Sequence, residues 1–521
     1  MQQDNDVINY IKRAFELKSQ DCYKQAIEML YKALETESDN IEILYQIGDL
    51  YYLLHNYDRA VQYLEKVLQY NNKHLASLKL LSNVYSKQGL FEDALEPALK
   101  VYEIEQQCKN LKEIIIILGS MKRIDDIAKY RDIMDNECLY EYALACYKNG
   151  KSDRAKELIA GAESENDDCK ILLGKIYFDE NEFEKSRQIF NSFPKTTKDA
   201  EVLNYLGLFA LEDMKFIDAI KYFSRASNLS KNNPVYLYNL ANAYFFNGWQ
   251  DEAVNSYQKA IVISPENLDY RYSLAYLYYE MKNYDKAQKE IDFILSNNEK
   301  HYQARVVQAL LKLHKKDYLG AEKILEDNIK EGFNDEFTLI SLGKVYNELD
   351  NFEKAENVIK KVIERDSGNI NYISDLADVY VKEKRYDDAM NLVHKVIDSN
   401  ERYIYGYILG AKISYLKGDF DKTKEFAQDA ISLDINCAEG YYYLAMVRKQ
   451  EKDYEEAIEC MKRAITYDLS NAKYYAEMST IYKLNNDIKT ALDYIKEAES
   501  IDGSMEYKIM YKELAALNRA K

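Results

Sequence analysis

Cysteine and histidine are the residues of this chain that could bind a metal or act as nucleophile and base. The seven cysteines and five histidines are scattered over 521 residues, without a CxxC pair or a histidine at the spacing of zinc ligands. Cys138 and Cys146 are eight positions apart, which is not the spacing of a metal-binding pair on a helix. We predict no catalytic or metal site, and reduced, partly buried thiols in a cytosolic protein.

The signatures of phosphate binding and of nucleic-acid binding are also missing. The sequence has no Gly-Lys-Ser loop of the Walker type and no GxGxxG motif after a strand. The formal net charge of −18 argues against a surface for nucleic acid or anionic membranes. The longest apolar run, Ile114 to Leu118, is too short to span a bilayer, and we expect no signal peptide. The prediction is a cytoplasmic protein that is not an enzyme and has no cofactor.

A small residue that recurs every 34 positions indicates which elements carry the remaining polar and aromatic side chains. Only 17 Gly and 4 Pro occur, so helices are expected nearly throughout the chain. A fixed period of this length predicts a solenoid of repeated units. The residues that keep the spacing are Ala26, Ala60, Ala94, Ala219, Ala253, Ala287, Ala321, Ala355, Ala389, Thr423, Ala457 and Ala491.

Residues 234–267 illustrate one repeat, whose apolar and small residues predict two helices. Gly248 separates the helices, and Pro265 ends the second one. Small residues at repeat positions 8 and 20 are expected where the two helices cross closely. The first helix carries Leu237, Leu240, Ala241 and Tyr244, and the second carries Ala253, Tyr257 and Ala260.

This pattern resembles the tetratricopeptide repeat (TPR) family, and the resemblance covers essentially the whole chain. It implies an all-α fold: a right-handed α-α superhelix, or solenoid, of about 15 helix-turn-helix units with a C-terminal capping helix. The same first-helix frame recurs at Ile47-Gly48 with Tyr51, Leu274-Ala275 with Tyr278, Leu342-Gly343 with Tyr346, Leu376-Ala377 with Tyr380, and Met478-Ser479 with Tyr482.

The spacing shortens in one part of the chain. Between Ala128 and Ala219 the small residues are separated by 27, 31 and 33 positions. We interpret this either as drift in a tolerant array or as a kink between two regular halves. The predicted segments are N-terminal units over 1–108, irregular units over 109–199, a regular array over 200–505 and a capping helix over 506–521.

In the TPR family, positions 2, 5, 6 and 9 of the first helix of each unit point into a concave groove. Read onto this sequence, these positions are rich in tyrosine and asparagine. Tyrosine offers contact area with few rotatable bonds, and asparagine can bond both polar groups of a peptide backbone. The predicted peptide-binding residues are Tyr205, Tyr238, Asn239, Asn242, Tyr272, Tyr276 and Tyr442.

One groove of the family recognises the C-terminal carboxylate of heat-shock chaperones through lysine, arginine and asparagine. Lys79 and Asn83 match its first two positions. Ile114, Glu137 and Glu141 stand where the later polar and cationic residues are needed. We therefore do not expect a carboxylate clamp.

Two functions remain open at this point, and both depend on protein partners. The first is a non-enzymatic scaffold that binds extended or helical segments of other proteins in the concave groove. The alternative is an assembly or regulatory subunit of a multi-protein complex that acts through its edges or convex face, including self-association. Partner identity and oligomeric state are not predicted.

Overall fold

The computed structural model describes residues 2–161 and 166–520. Met1, residues 162–165 and Lys521, which belong to the predicted segments 1–108, 109–199 and 506–521, lie outside the described residues. Over the described ranges the regular elements are all helical, as the fold class requires. The chain divides into two compact units, Met1–Trp249 (unit 1) and Gln250–Lys521 (unit 2).

Unit 1 contains the helices α1 to α15. A short 3₁₀ helix, Ala128–Ile133, continues α8. The helices are α1 Gln2–Ser19, α2 Tyr23–Thr36, α3 Ile41–Leu53, α4 Tyr57–Tyr70, α5 Leu75–Lys87, α6 Phe91–Ile104, α7 Cys108–Ser120, α8 Ile124–Ile127, α9 Asn136–Lys148, α10 Ser152–Ile159, α11 Asp167–Asp179, α12 Phe183–Asn191, α13 Ala200–Glu212, α14 Phe216–Leu229 and α15 Pro234–Phe246.

Unit 2 contains the helices α16 to α31. They are α16 Gln250–Ile263, α17 Leu268–Glu280, α18 Tyr284–Asn297, α19 Tyr302–His314, α20 Tyr318–Lys330, α21 Glu336–Glu348, α22 Phe352–Arg365, α23 Ile370–Lys382, α24 Tyr386–Ser399, α25 Ile404–Lys417, α26 Phe420–Leu433, α27 Ala438–Gln450, α28 Tyr454–Tyr467, α29 Ala472–Leu484, α30 Ile488–Ile501 and α31 Met505–Ala520.

A short turn separates the two helices of each successive pair, and one residue of each turn has left-handed backbone. Among the described residues, fifteen such turns precede the last helix α31, so the expectation of about 15 units and a C-terminal helix is confirmed. Most of these residues are not glycine, although left-handed backbone costs other residues about 1 kcal/mol. The turn residues are Asp21, His55, Gly89, Lys122, Gly150, Asn181, Met214, Gly248, Lys282, Lys316, Asp350, Lys384, Gly418, Lys452 and Asn486.

The small residues of the 34-residue period lie at the helix crossings, as predicted. Ala219 and Ala355 are completely buried, and so is Thr423 in its place in the series. Opposite them, a Cβ added to Gly207 would lie 2.6 Å from the ring of Phe223. The crossing therefore requires small residues on both helices, because a larger one would push the pair apart.

The shortened spacing in unit 1 falls mainly on second helices. The helix α8 has 4 residues before the 3₁₀ helix, α10 has 8 and α12 has 9. The second helices of the regular pairs have 13 or 14 residues, for example 14 in α14 and 13 in α20. The irregular units thus lose turns of their second helix, while the proposed kink over 109–199 stays a prediction.

Candidate functional site

The candidate site lies on the inner face, which we define as repeat positions 2, 5, 6 and 9 of the first helix of each pair. In unit 1 the inner face of α13 and α15 is held together by an amide pair. Asn239 Nδ2 donates to Asn204 Oδ1 at 2.8 Å, and both residues are buried. A buried amide pair needs both partners, since a lost partner leaves a polar group unsatisfied. The side chain of Asn239 therefore stabilises the packing of α13 against α15.

Tyr205, also on α13, is packed from the side of the preceding helices. Its ring stacks on Phe190 with centroids 4.5 Å apart and meets the edge of Phe178 at 5.1 Å. Burial raises the pKa of Tyr205 above its usual value. Tyr238 and Asn242 lie on α15, one helical turn apart, and both are half-buried. Unit 1 thus brings four of the predicted residues onto two neighbouring helices.

Lys79, which matched the first position of a carboxylate clamp, forms an ion pair within unit 1. Lys79 Nζ lies 2.9 Å from Glu105 Oε2, and Asn110 Nδ2 donates to the backbone oxygen of Glu105 at 2.9 Å. Glu137 Oε1 lies 2.6 Å from the ammonium of Lys112. An internal carboxylate therefore occupies the place that a partner's carboxylate would need.

In unit 2, Tyr272 and Tyr276 lie one helical turn apart on α17, whereas Tyr442 lies on α27. Tyr272 packs against the ring of His301 at 5.7 Å, and Tyr276 meets Phe337 edge-on at 5.7 Å. Burial raises the pKa of Tyr276. Tyr442 is only 6% exposed and stacks on Tyr474 at 5.2 Å, so it lies in the core of its helix pair.

The larger feature of unit 2 is a cavity on the inner face of α21, α23 and α25. Its volume is about 620 Å³, enough for one or two side chains of a partner. Apolar residues such as Val379 and Leu416 form part of its wall. Its charged and aromatic lining includes Lys344, Asp375, Asp378, Tyr405 and Lys412.

The charges around this cavity pair across neighbouring repeats. Lys344 Nζ of α21 lies 3.2 Å from Asp375 Oδ1 of α23. Asp378, one turn further along α23, lies 2.8 Å from Lys412 Nζ of α25. Asp378 Oδ2 also accepts a hydrogen bond from the hydroxyl of Tyr405 at 2.5 Å. Both aspartates face neighbouring helices, so one helix face links three repeats.

Burial changes the pKa of two groups in the cavity lining. Burial raises the pKa of Asp375, opposed by Lys344 and reinforced by Asp378. Burial, together with the charge of Asp378, raises the pKa of Tyr405. The side chain of Asp375 is 19% exposed, whereas that of Lys344 is 49% exposed. The carboxylate is fixed inside the cavity wall while the lysine can change partner.

Asn347 adds an unused acceptor to the same lining. Its side-chain oxygen is buried and has no hydrogen-bond partner, whereas its backbone oxygen accepts from Lys382 Nζ at 2.7 Å. A buried acceptor without a partner is uncommon and costly. The cavity therefore offers both paired charges and one unsatisfied acceptor to a ligand.

Sequence reasoning placed these residues on the inner face but did not select them. The signal was present, because Lys344, Asp378 and Lys412 occupy position 9 of three successive repeats and alternate in charge. The predicted binding residues were chosen for tyrosine and asparagine and therefore lie on α13, α15, α17 and α27 instead.

Two further features of the described residues concern metal binding and membrane insertion. Within the part of the chain that the structure describes, no cluster of three or more His, Cys, Asp or Glu residues could hold a metal. Among the described helices, none is long and apolar enough to cross a membrane.

The chain is similar to several solved structures at low identity. A tetratricopeptide repeat protein from Parabacteroides merdae is 20% identical, with 48% of this chain and 98% of that chain covered and a TM-score of 0.40. The APC/C hetero-tetramer Cut9-Hcn1 gives 13% identity, 96% and 95% coverage and a TM-score of 0.42. Yeast Tom70 gives 15% identity, 93% and 97% coverage and a TM-score of 0.37. No curated protein matches the chain.

Family models match separate parts of both units. A model described as TPR repeat matches residues 247–282, and models described as tetratricopeptide repeat match 272–331, 338–369 and 438–471. The model for anaphase-promoting complex, cyclosome, subunit 3 matches residues 19–100. Together with the repeated helix pairs and their buried small residues, these matches identify the chain as a member of the tetratricopeptide repeat family.

Proposed function

We propose that this protein is a non-enzymatic scaffold that binds extended or helical segments of partner proteins on its inner face. The observation that carries the proposal is the cavity of about 620 Å³ between α21, α23 and α25. Its charged side chains are far from fully buried, so the fold gains little from them. Charged groups around a cavity are instead suited to select a partner by complementarity.

The predicted tyrosine and asparagine residues have two roles in this proposal. Tyr238 and Asn242 in unit 1, and Tyr272 and Tyr276 in unit 2, supply contact area and hydrogen bonds to a partner backbone. Tyr205, Asn239 and Tyr442 hold the helices on which the contact residues stand. In unit 2, Tyr405 and the charges around Asp378 set the preference for one partner over another.

The proposal places the protein in the cytoplasm and excludes nucleic acid as its ligand. A protein with a net charge of −18 is expected to repel the phosphate backbone of a nucleic acid within a Debye length of its surface. Partner proteins with both basic and acidic side chains are expected, because the cavity presents both signs of charge. The alternative role, through the edges of the array, is supported by a separate surface described below.

A capture experiment with the full chain tests the inner face. Partners are captured from a cell extract on the wild-type protein, identified by mass spectrometry and titrated against variants. The double variant Lys344→Glu with Lys412→Glu is expected to weaken the main partner about tenfold or more. The double variant Tyr238→Ala with Tyr272→Ala tests the aromatic residues in the same way.

The matched control lies on the outer face of the same repeats. Lys361 is an exposed residue of the second helix α22, so Lys361→Glu changes the charge without touching the inner face. We expect this variant to bind as the wild type does. Equal retention of every partner by the inner-face and outer-face variants would show that the inner face is not the binding surface.

A further inference from the structure

The loops that join successive helix pairs change character within unit 2. Their repeat positions 30 and 32 are mostly polar in the four pairs from α17 to α24, namely Asn297, Glu299, Glu331, Phe333, Arg365, Ser367, Ser399 and Glu401. The exception, Phe333, stacks on Tyr302 with centroids 4.0 Å apart. In the last three pairs the same positions carry Leu433, Ile435, Tyr467, Leu469, Ile501 and Gly503.

The apolar residues of these last loops are exposed. We name as the apolar stripe the five large residues of these positions together with the first residue of α31. They are Leu433 (37%), Ile435 (67%), Tyr467 (40%), Leu469 (66%), Ile501 (39%) and Met505 (68%). Scattered exposed apolar residues need no explanation, but a contiguous set marks an interaction surface.

The members of the stripe lie in or next to the equivalent loops of three consecutive helix pairs, so they follow one edge of unit 2. Tyr441, at the start of α27, stacks on Tyr467 of α28 with ring centroids 5.7 Å apart. This contact links the loop of Leu433 and Ile435 to the loop of Tyr467 and Leu469. Ile501 and Met505 flank the next loop, which leads into α31.

An aspartate stands between the apolar positions of every loop in the stripe. Asp434, Asp468 and Asp502 all occupy repeat position 31. Two of these carboxylates are fixed by the loop itself. Asp434 Oδ1 accepts from the backbone N–H of Asn436 at 2.9 Å, and Asp468 Oδ1 accepts from the N–H of Ser470 at 3.1 Å. The stripe thus alternates apolar side chains with anchored negative charges.

Unit 2 already places a cation against this edge. Lys282, in the turn after α17, lies with its Nζ 3.7 Å from Asp468 Oδ2. Asp502 acts on His314, at the end of α19, and opposes the lowering of its pKa by burial. The apolar residues remain exposed with these contacts in place. The chemistry that fits the edge is therefore positive charge beside apolar surface.

We propose that the apolar stripe is a second docking surface, independent of the inner face, for a partner segment that alternates apolar side chains with lysine or arginine. The apolar side chains would cover Ile435, Leu469 and Met505, which gain most from leaving water. The cations would pair with Asp434 and compete for Asp468. An acidic or uncharged segment lacks this second set of contacts.

The test measures binding of a synthetic amphipathic peptide of leucine and lysine to the full chain by fluorescence anisotropy. The double variant Ile435→Ser with Leu469→Ser is expected to bind the peptide about tenfold more weakly. Asp434→Asn with Asp468→Asn is expected to weaken it by a similar factor, and more at low salt than at high salt. A leucine and glutamate peptide is expected not to bind.

Matched controls use apolar residues of unit 2 that are equally exposed but lie outside the stripe. Val262 is 80% exposed and Leu319 is 70% exposed, and their double serine variant is expected to bind like wild type. The inner-face variant Tyr238→Ala with Tyr272→Ala is also expected to leave peptide binding unchanged, which separates this proposal from the one above. Equal binding by the stripe variant and the control variant would overturn the proposal.

Sedimentation of the same proteins distinguishes a second copy of the chain as the occupant. The proposal predicts the same sedimentation coefficient for the wild type and for Ile435→Ser with Leu469→Ser at all concentrations. If the wild type is a dimer and the stripe variant is a monomer, the stripe binds the stripe of a second copy of the chain. The proposal of a basic partner segment would then be wrong.

Discussion

The inner face of α13 and α15 in unit 1 and that of α21, α23 and α25 in unit 2 use their polar side chains in opposite ways. In unit 1 the amides of Asn204 and Asn239 satisfy each other inside the protein. In unit 2 the charges of Lys344, Asp378 and Lys412 surround a cavity of about 620 Å³. Inner-face side chains therefore stabilise the fold in unit 1, and we propose that they serve recognition in unit 2.

The difference follows from what each side chain loses on burial. An amide that finds a partner can be buried at modest cost, and then it fixes the packing of its helix. A charged side chain retains most of its hydration only near the surface, where an ion pair contributes little stability. Unit 2 thus keeps partly exposed charges on its inner face, whereas the amides of Asn204 and Asn239 in unit 1 are paired with each other.

The helix crossing beneath the unit 1 face should be the most sensitive point. Gly207→Val places a side chain where a Cβ alone would lie 2.6 Å from the ring of buried Phe223. We expect a loss of about 3 kcal/mol, measured as faster hydrogen–deuterium exchange of α13 and α14. The matched variant Gly343→Val meets the flexible side chain of Ile359 at 2.7 Å and should lose less. A larger loss for Gly343→Val would contradict the comparison.

The amide pair gives the next largest effect. Asn239→Ala removes the donor to Asn204 and leaves its buried oxygen without a partner, which should cost about 2 kcal/mol. Asp378→Asn, the matched change in unit 2, removes an ion pair at a partly exposed site and should cost about 0.5 kcal/mol. Thermal unfolding of both variants measures the difference. Equal losses would mean that the two inner faces do not differ in their structural role.

The smallest effect is expected from the ionisation of Asp375 in unit 2. Because burial raises the pKa of Asp375, its ionised form is disfavoured in the folded protein. The stability that belongs to the protonated form is present below the unfolded pKa and is lost as the pH rises through the folded pKa. Asp375→Asn should therefore be neutral or slightly stabilising at pH 7, by about 1 kcal/mol or less. The gain should vanish in acid, where Asp375 is protonated. A clear destabilisation at pH 7 would show that the pair with Lys344 dominates.

The fold could be predicted from the sequence because the solenoid is set by local rules. Ala219 and its equivalents fix the helix crossings, and Gly248 marks a turn, so each unit can be recognised without knowledge of the others. Three-dimensional pairing could not be read in this way. Whether Asn239 meets Asn204, or Lys344 meets Asp375, depends on rotamers and on the stacking of adjacent pairs.

The inner-face positions could be read from the sequence, but the burial of their side chains could not. Tyr442 and Tyr405 both occupy inner-face positions, yet Tyr442 is 6% exposed and Tyr405 is 40% exposed. Tyr405 occupies repeat position 2 and Tyr442 position 5, and Tyr442 also stacks on Tyr474 of the next repeat. The apolar stripe was not predicted, although its residues recur with the same period as the buried alanines.

Site-specific photo-crosslinking tests the central claim most directly. A photoreactive phenylalanine analogue replaces Tyr405 on the inner face of unit 2, Tyr205 on that of unit 1, or Lys361 on the outer face, in the full chain with its partners present. We predict that position 405 gives the strongest partner adduct, position 205 a weaker one and position 361 none. Adducts at position 361 as strong as those at position 405 would contradict the account, because partners would then bind without regard to the inner face.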